Sequence, residues 1–171
     1  HYVESKNILD LKSHLIENSS KDHQEVTNLI NKFKSQISGE SSIQKNQVEI
    51  KEIFEQESVE DILKKTNLLS ENGSDFAKNI EHELMGKSPT SLKITFKQIN
   101  EATEMSLRDA LIMEYRMVQR CQASGDFYEG VRAMLVDKDR KPNWKPSDLN
   151  KVDEIWVNHF FEPLHEKDLK I

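Results

Sequence analysis

The sequence contains few cysteines, glycines and prolines. Among its 171 residues are one cysteine, Cys121, and only five glycines and four prolines. A single cysteine excludes an internal disulfide and favours a reducing compartment. No run approaches the roughly 20 apolar residues that a membrane-spanning helix needs, and no signal-peptide pattern opens the chain. We therefore expect a protein with neither disulfides nor a membrane-spanning segment.

Spacing motifs of known catalytic and binding sites are also missing. The six histidines form no HExxH pair, and no paired cysteines are present to bind zinc. No GxSxG elbow occurs, and the glycines fit neither a GxGxxG nor a Walker spacing. Cys121 falls on the apolar face of a predicted helix, which favours a small buried side chain over a reactive thiol. We therefore assign no catalytic residue, no cofactor-binding residue and no metal ligand.

The charge of the chain is acidic and unevenly distributed. The formal net charge of −6 argues against a nucleic-acid surface, because phosphate binding needs clustered Lys and Arg. Residues 1–86 carry 10 basic and 16 acidic side chains, whereas residues 87–171 carry 14 of each. Every Arg, both Trp and all four Pro lie in the second stretch. We therefore divide the chain into loosely specified amphipathic helices over 1–86 and a better specified helical region over 87–171.

Helical spacing recurs along the chain, and no strand or hairpin pattern interrupts it. Candidate N-caps open the predicted helices at Ser5, Ser58, Ser88, Ser106 and Asp126. The helix after Ser106 is predicted to be the longest, with its buried face formed by Leu107, Ala110, Leu111, Met117, Val118 and Cys121. A last helix is predicted within 152–161. The pattern predicts an all-α fold, an irregular array of about eight helical pieces.

One apolar stripe supports two interpretations. Val26, Leu29, Ile30, Phe33 and Ile37 recur at steps of three and four, which places them on one helix face. Packing within the chain is the favoured interpretation, and docking of a partner helix is the alternative.

Two stretches are more specific than helix periodicity requires. The first is residues 87–95 (KSPTSLKIT), and the second runs from residues 113–121 (MEYRMVQRC) through 125–139 to 142–146 (PNWKP). Together they resemble the C-terminal part of the 3-hydroxyisobutyryl-CoA hydrolases, a thioesterase branch of the crotonase superfamily. Residues 126–133 (DFYEGVRA) match the broad crotonase signature DFxEGxxA, and 136–139 with 144–146 narrow the resemblance to the hydrolase branch. The resemblance covers essentially the whole chain, loosely over 5–75 and strongly over 87–146.

The resemblance implies that the complete protein hydrolyses 3-hydroxyisobutyryl-CoA to 3-hydroxyisobutyrate and CoA, a step of valine breakdown in the mitochondrial matrix. In that family, backbone N–H groups of an oxyanion hole and acidic residues of the N-terminal core perform the chemistry. The first residue is His1 and not Met, so we expect the sequence to begin inside a longer polypeptide, after that core. CoA is part of the substrate, so no cofactor is expected.

The resemblance also implies what this helical part does. It should cover the crotonase core and support the acyl pocket, with the acyl-CoA substrate and the core itself as partners; no nucleic acid and no membrane are expected. Self-association is left open. We expect the signature to supply residues that line the pocket or support it structurally. The candidates are Asp126, Phe127, Glu129, Gly130 and Arg132.

Three of these signature residues carry a more specific expectation. Phe127 either faces the pocket or packs locally at the start of its helix, and the local role is favoured. Glu129 and Arg132 are spaced for an ion pair on one helix face. Gly130 in mid-helix costs about 1 kcal/mol relative to Ala, which indicates that another backbone or a ligand approaches it closely.

Two other functions stay open at this stage. In the first, the chain belongs to a hydrolase-like protein that has lost catalysis and serves as a structural component, as hydrolase-like proteins in some mitochondrial ribosomes do. Alternatively, the chain is a stand-alone helical interaction module and the resemblance is fortuitous.

Overall fold

The computed structural model describes residues 2–18, 22–36 and 39–171, and over these ranges it is helical without any β-strand. The predicted all-α class is therefore confirmed. Ten α-helices are found there: α1 Ile8–Glu17, α2 His23–Lys32, α3 Ser42–Lys45, α4 Gln47–Phe54, α5 Val59–Glu71, α6 Asp75–Met85, α7 Pro89–Ala102, α8 Leu107–Ala123, α9 Asp126–Val131 and α10 Glu154–His159. A π-helix, Arg132–Val136, continues α9, and 3-10 turns occupy Ser5–Asn7, Leu149–Lys151 and His165–Lys167. None of the described helices is long and apolar enough to cross a bilayer.

The chain forms two compact units, His1–Gln47 and Val48–Ile171. The two units are distinguished by which residues pack together. The boundary predicted at residue 86 separates stretches that differ in how strongly their sequence is specified, and it stays a prediction.

The first unit contains the pair α1 and α2. Asp22 caps α2 by accepting a hydrogen bond from the backbone N–H of Gln24 at 2.8 Å. The prediction that Ser5 caps α1 is wrong, because Ser5 lies in a 3-10 turn and α1 begins three residues later at Ile8. The stripe predicted on α2 is partly buried at Val26, Leu29, Ile30 and Phe33, whereas Ile37 lies outside the described residues.

Serine caps begin the main helices of the second unit. Ser58, Ser74, Ser88 and Ser106 each accept a hydrogen bond from the backbone N–H three residues later, as a capping serine does. The predictions at Ser58, Ser88 and Ser106 are confirmed. Asp126 is not a cap, because Gly125 occupies that position with a φ of 89°, a backbone conformation that glycine adopts without steric cost. The carboxylate of Asp126 is therefore free for other partners.

The core of the second unit consists of two clusters that share α7. Ile94 belongs to one, with Met113, Met117, Val152, Val157 and Phe160. Phe96 packs on the other, formed by Ile53, Ile62 and Ala77.

The buried face predicted for α8 is only partly right. Met117 is buried, and Ala110 and Cys121 are half-buried, but Leu107, Leu111 and Val118 are 79%, 42% and 51% exposed. Met113, which the prediction omitted, is buried instead. The core cluster therefore lies on the side of α8 that carries Met113 and Met117.

Candidate functional site

A cavity of about 550 Å³ opens in the second unit, among α5, α7 and the corner between α8 and α9. Its volume lies within the range of about 300–1,000 Å³ that is usual for small-molecule sites. The walls are mainly apolar, and include Val59, Ile62, Ile94, Phe96, Phe127 and Trp144. The site is therefore suited to an apolar group rather than to a strongly charged one.

Asp126 joins the start of α7 to the loop after the π-helix. The hydroxyl of Ser88, the N-cap of α7, donates to Oδ2 of Asp126 at 2.6 Å and accepts from the backbone N–H of Ser91 at 3.1 Å. Oδ1 of Asp126 accepts from the backbone N–H of Lys145 at 3.0 Å. One carboxylate thus ties together two segments that both line the cavity.

Arg132 organises the same loop from the other end of the signature. Its guanidinium forms two hydrogen bonds with Glu129, at 2.9 and 2.8 Å, so the predicted ion pair is present. It also donates to Asp137 at 2.6 Å and to Asp139 at 2.7 Å. Oε1 of Glu129 accepts from the backbone N–H of Asn143 at 2.6 Å. These bonds hold residues 137–143 against the helix.

The two partners of this ion pair shift each other's pKa. Hydrogen bonds from Arg132, and then from the backbone of Asn143, lower the pKa of Glu129 to about 2. The pKa of Arg132 is raised further above its ordinary value by Glu129, Asp139 and Asp137. Glu129 is therefore a carboxylate at neutral pH and is committed to structure, which is not the state of a general acid.

Gly130 is approached by a side chain. A Cβ on Gly130 would lie 3.3 Å from Cη2 of Trp144. The indole N–H of Trp144 donates to the backbone carbonyl of Gly86 at 3.1 Å, which fixes the ring at the end of α6. The sequence indicated a backbone or a ligand at this point, and the structure places the wall-forming Trp144 there.

Phe127 and Cys121 both line the cavity. Phe127 is 49% exposed and packs edge-on against Tyr128, with ring centroids 5.4 Å apart. It therefore combines the local packing that was favoured with a position in the cavity wall. Burial raises the pKa of the Cys121 thiol, so the thiolate needed for nucleophilic attack is disfavoured.

The cavity offers no acid–base pair for hydrolysis. Two charged residues line it, Lys87 and Asp126. Lys87 forms an ion pair with Glu83 at 2.9 Å, and Asp126 accepts hydrogen bonds from Ser88 and the backbone of Lys145. Within the ranges that the structure describes, no group of three or more His, Cys, Asp or Glu residues is arranged to hold a metal ion. The arrangement can bind and orient an apolar group, and the groups that would cleave it are not among the cavity-lining residues.

Sequence reasoning missed Ser88, Thr90 and Trp144 as parts of this site. Each lies in a stretch whose specificity was noted, 87–95 or 142–146, but a cap, a threonine on a helix and an isolated tryptophan carry no signal of a shared cavity. Their proximity depends on how α7 packs against the loop after the π-helix.

Comparison with known proteins places the chain in a defined group. A family model described as enoyl-CoA hydratase/isomerase matches residues 1–161. The mitochondrial 3-hydroxyisobutyryl-CoA hydrolase of Gallus gallus is 39% identical over 175 residues, and that of Danio rerio is 40% identical over 175 residues. The human hydrolase is 36% identical over 174 residues. The chain is covered at 99–100%, but it spans only 44–45% of the length of these relatives.

Solved structures share the fold of the chain. A carnitinyl-CoA dehydratase from Mycobacterium thermoresistibile has a TM-score of 0.78 at 26% identity, covering 99% of this chain and 46% of that one. An enoyl-CoA hydratase from Rhodobacter sphaeroides 2.4.1 has a TM-score of 0.77 at 25% identity, with the same coverage.

Proposed function

The chain belongs to the enoyl-CoA hydratase/isomerase family, and we propose that it is the C-terminal helical part of a hydrolase that cleaves 3-hydroxyisobutyryl-CoA. In this reaction water adds to the thioester carbonyl carbon, the C–S bond breaks, and 3-hydroxyisobutyrate and the thiol of CoA are released. The supporting observation is the similarity to curated hydrolases of that name from one end of the chain to the other.

The proposed division of labour places the chemistry outside these 171 residues. The relatives are about twice as long as the matched region, and the oxyanion-hole N–H groups and proton-transferring acids are proposed to lie in the remainder. The present chain covers that core and supplies one wall of the acyl pocket. The absence of an acid–base pair from the lining of the cavity is consistent with this supporting role.

The remaining properties follow from the same proposal. The substrate carries CoA itself, so no further cofactor is needed. The complete protein acts in valine catabolism in the mitochondrial matrix, which is supported by the mitochondrial designation of the relatives. Its partners are the acyl-CoA and the core on which the helices pack.

The test compares the complete protein with the 171-residue chain, each incubated with 3-hydroxyisobutyryl-CoA, and follows the release of free thiol. The complete protein should turn the substrate over and the chain alone should not. Turnover by the chain alone would contradict the division of labour. A folded complete protein that hydrolyses no acyl-CoA would overturn the hydrolase proposal and favour a structural role.

A further inference from the structure

Thr90 stands out among the residues that line the cavity. It is the second residue of α7 and is only 4% exposed. Its Oγ1 is shielded from solvent and has no hydrogen-bond partner among the described residues. Burying a hydroxyl without a partner costs free energy, and such exceptions are uncommon in native structures. A partner from outside the described residues, such as a ligand, would satisfy this hydroxyl.

The neighbouring polar groups are already committed. Ser88 bonds with Asp126 and with the backbone of Ser91, and Ser124 donates to the backbone carbonyl of Cys121 at 2.8 Å. Ser91 and Thr95 also line the cavity, but they are exposed, so water can satisfy them. Thr90 is thus the lining residue whose buried hydroxyl has neither a protein partner in the described ranges nor access to solvent.

These features define the chemistry of a matching ligand. Ile94, Phe96 and Phe127 offer apolar contact to a short branched carbon chain. The two charged groups of the wall, Lys87 and Asp126, already have partners, which favours a neutral group over a carboxylate or phosphate. A single neutral hydroxyl on the ligand would complete the bonding of Thr90, because a threonine hydroxyl both donates and accepts.

We propose that this cavity receives the acyl group of the thioester substrate and that Thr90 recognises the hydroxyl at its far end. The inference rests on the proposed function, since a 3-hydroxyisobutyryl group is a short branched chain with one terminal hydroxyl. Rotation of the Thr90 side chain between staggered χ1 positions re-aims Oγ1 without moving α7. Thr90 is then a specificity-determining residue, which binds substrate away from the thioester carbon.

The inference predicts discrimination between two substrates. A site built to bond a substrate hydroxyl disfavours the analogue that lacks it, because the buried polar group is then left unpaired. The complete protein should therefore prefer 3-hydroxyisobutyryl-CoA to isobutyryl-CoA in kcat/KM. In Thr90→Val, which keeps the shape of the side chain, that preference should fall by about tenfold or more.

Matched variants separate recognition from structure. Thr90→Ser retains the hydroxyl and should retain the preference, while Thr90→Ala should lose it in the same way as Thr90→Val. Thr103→Val is the control, because Thr103 ends the same helix but is exposed and does not line the cavity. The melting temperature of Thr90→Val should not fall, since the substitution removes a buried hydroxyl that has no partner within the part of the chain that the structure describes.

The outcomes distinguish the two proposals. Wild-type turnover of 3-hydroxyisobutyryl-CoA with an unchanged preference in Thr90→Val and Thr90→Ala overturns the role of Thr90 and leaves the hydrolase standing. An equal loss of kcat/KM for both substrates also overturns it. A purely structural defect lowers kcat/KM whether or not the substrate carries the hydroxyl. Absence of any turnover by the wild-type protein overturns both proposals.

Discussion

The indole ring of Trp144 lies so close to Gly130 that a Cβ at residue 130 would come within 3.3 Å of its Cη2 atom. The ring is held on its other side by the hydrogen bond from its N–H to the backbone carbonyl of Gly86. Gly130 therefore leaves the space in which Trp144 forms a wall of the cavity. The contact with Trp144 therefore explains why the signature has a glycine in mid-helix.

The first prediction concerns this contact. Gly130→Ala in a Trp144→Ala background should raise the free energy of unfolding by about 1 kcal/mol, because Ala favours the helix and nothing opposes its Cβ. In the wild-type background the ring must move by a few tenths of an ångström, which offsets the gain. Urea denaturation of the four proteins measures this coupling. Equal effects in both backgrounds would refute it.

The second prediction concerns Asp126, whose two oxygens bond Ser88 and the backbone of Lys145. Asp126→Ala should lower the free energy of unfolding by about 2 kcal/mol, since hydrogen bonds to a charged group are lost. Asp126→Asn keeps an acceptor and should lose less. Asp153→Ala, which removes the cap of α10, is the control and should cost about 1 kcal/mol. Thermal or urea unfolding that ranks Asp153→Ala as the more damaging change would contradict the bridging role.

The third prediction concerns pH. The folded-state pKa of Glu129 is lowered to about 2, below the value of about 4.3 that is usual for an unfolded chain. Its contribution to stability is therefore fully present above the unfolded pKa and is lost as the pH falls through the folded pKa. Glu129→Gln should be less stable than wild type at pH 7, and the difference should shrink between about pH 4.5 and 2.

Urea denaturation at a series of pH values measures this difference. Arg132→Lys serves as a comparison, because lysine keeps the charge but not the two-pronged geometry, and it should retain only part of the pH dependence. A difference between wild type and Glu129→Gln that stays constant down to pH 2 would show that Glu129 is not held by Arg132.

The fourth prediction concerns the C-terminal segment. Nε of Arg116 on α8 donates to both carboxylate oxygens of Asp168, at 2.8 and 3.0 Å. Arg116→Lys should loosen the segment, so the amides of Lys167 and Asp168, bonded to Leu164 and His165, should exchange hydrogen faster. Arg108→Lys, at the exposed start of the same helix, is the control. Unchanged exchange in Arg116→Lys would mean that other contacts hold the segment.

The fifth prediction concerns truncation after residue 86. The shortened chain lacks α7, which supplies Ile94 to one core cluster and Phe96 to the other. Apolar faces of α5 and α6 would be exposed, and we expect residues 1–86 to show no cooperative melting by circular dichroism. A soluble fragment with a sharp transition would contradict the shared role of α7.

How far the sequence could predict the structure depended on the range of the interaction involved. The starts of α5, α7 and α8 were predicted because a capping serine bonds the backbone only three residues away. Asp126 has the same chemistry, yet its acceptors are used by Ser88 and Lys145, which are 38 and 19 residues away. Nothing in the local pattern distinguishes these two uses of an acidic residue.

The sequence by itself determined the all-α class, the starts of α5, α7 and α8, the Glu129–Arg132 pair and the family resemblance, because each depends on residues within a turn or within continuous stretches of sequence. Only the tertiary structure decided which stripe of α8 is buried, what approaches Gly130, and that Thr90 lies beside an apolar cavity with no partner for its hydroxyl among the described residues. The physical reason is that burial and hydrogen-bond satisfaction depend on which distant segments pack together.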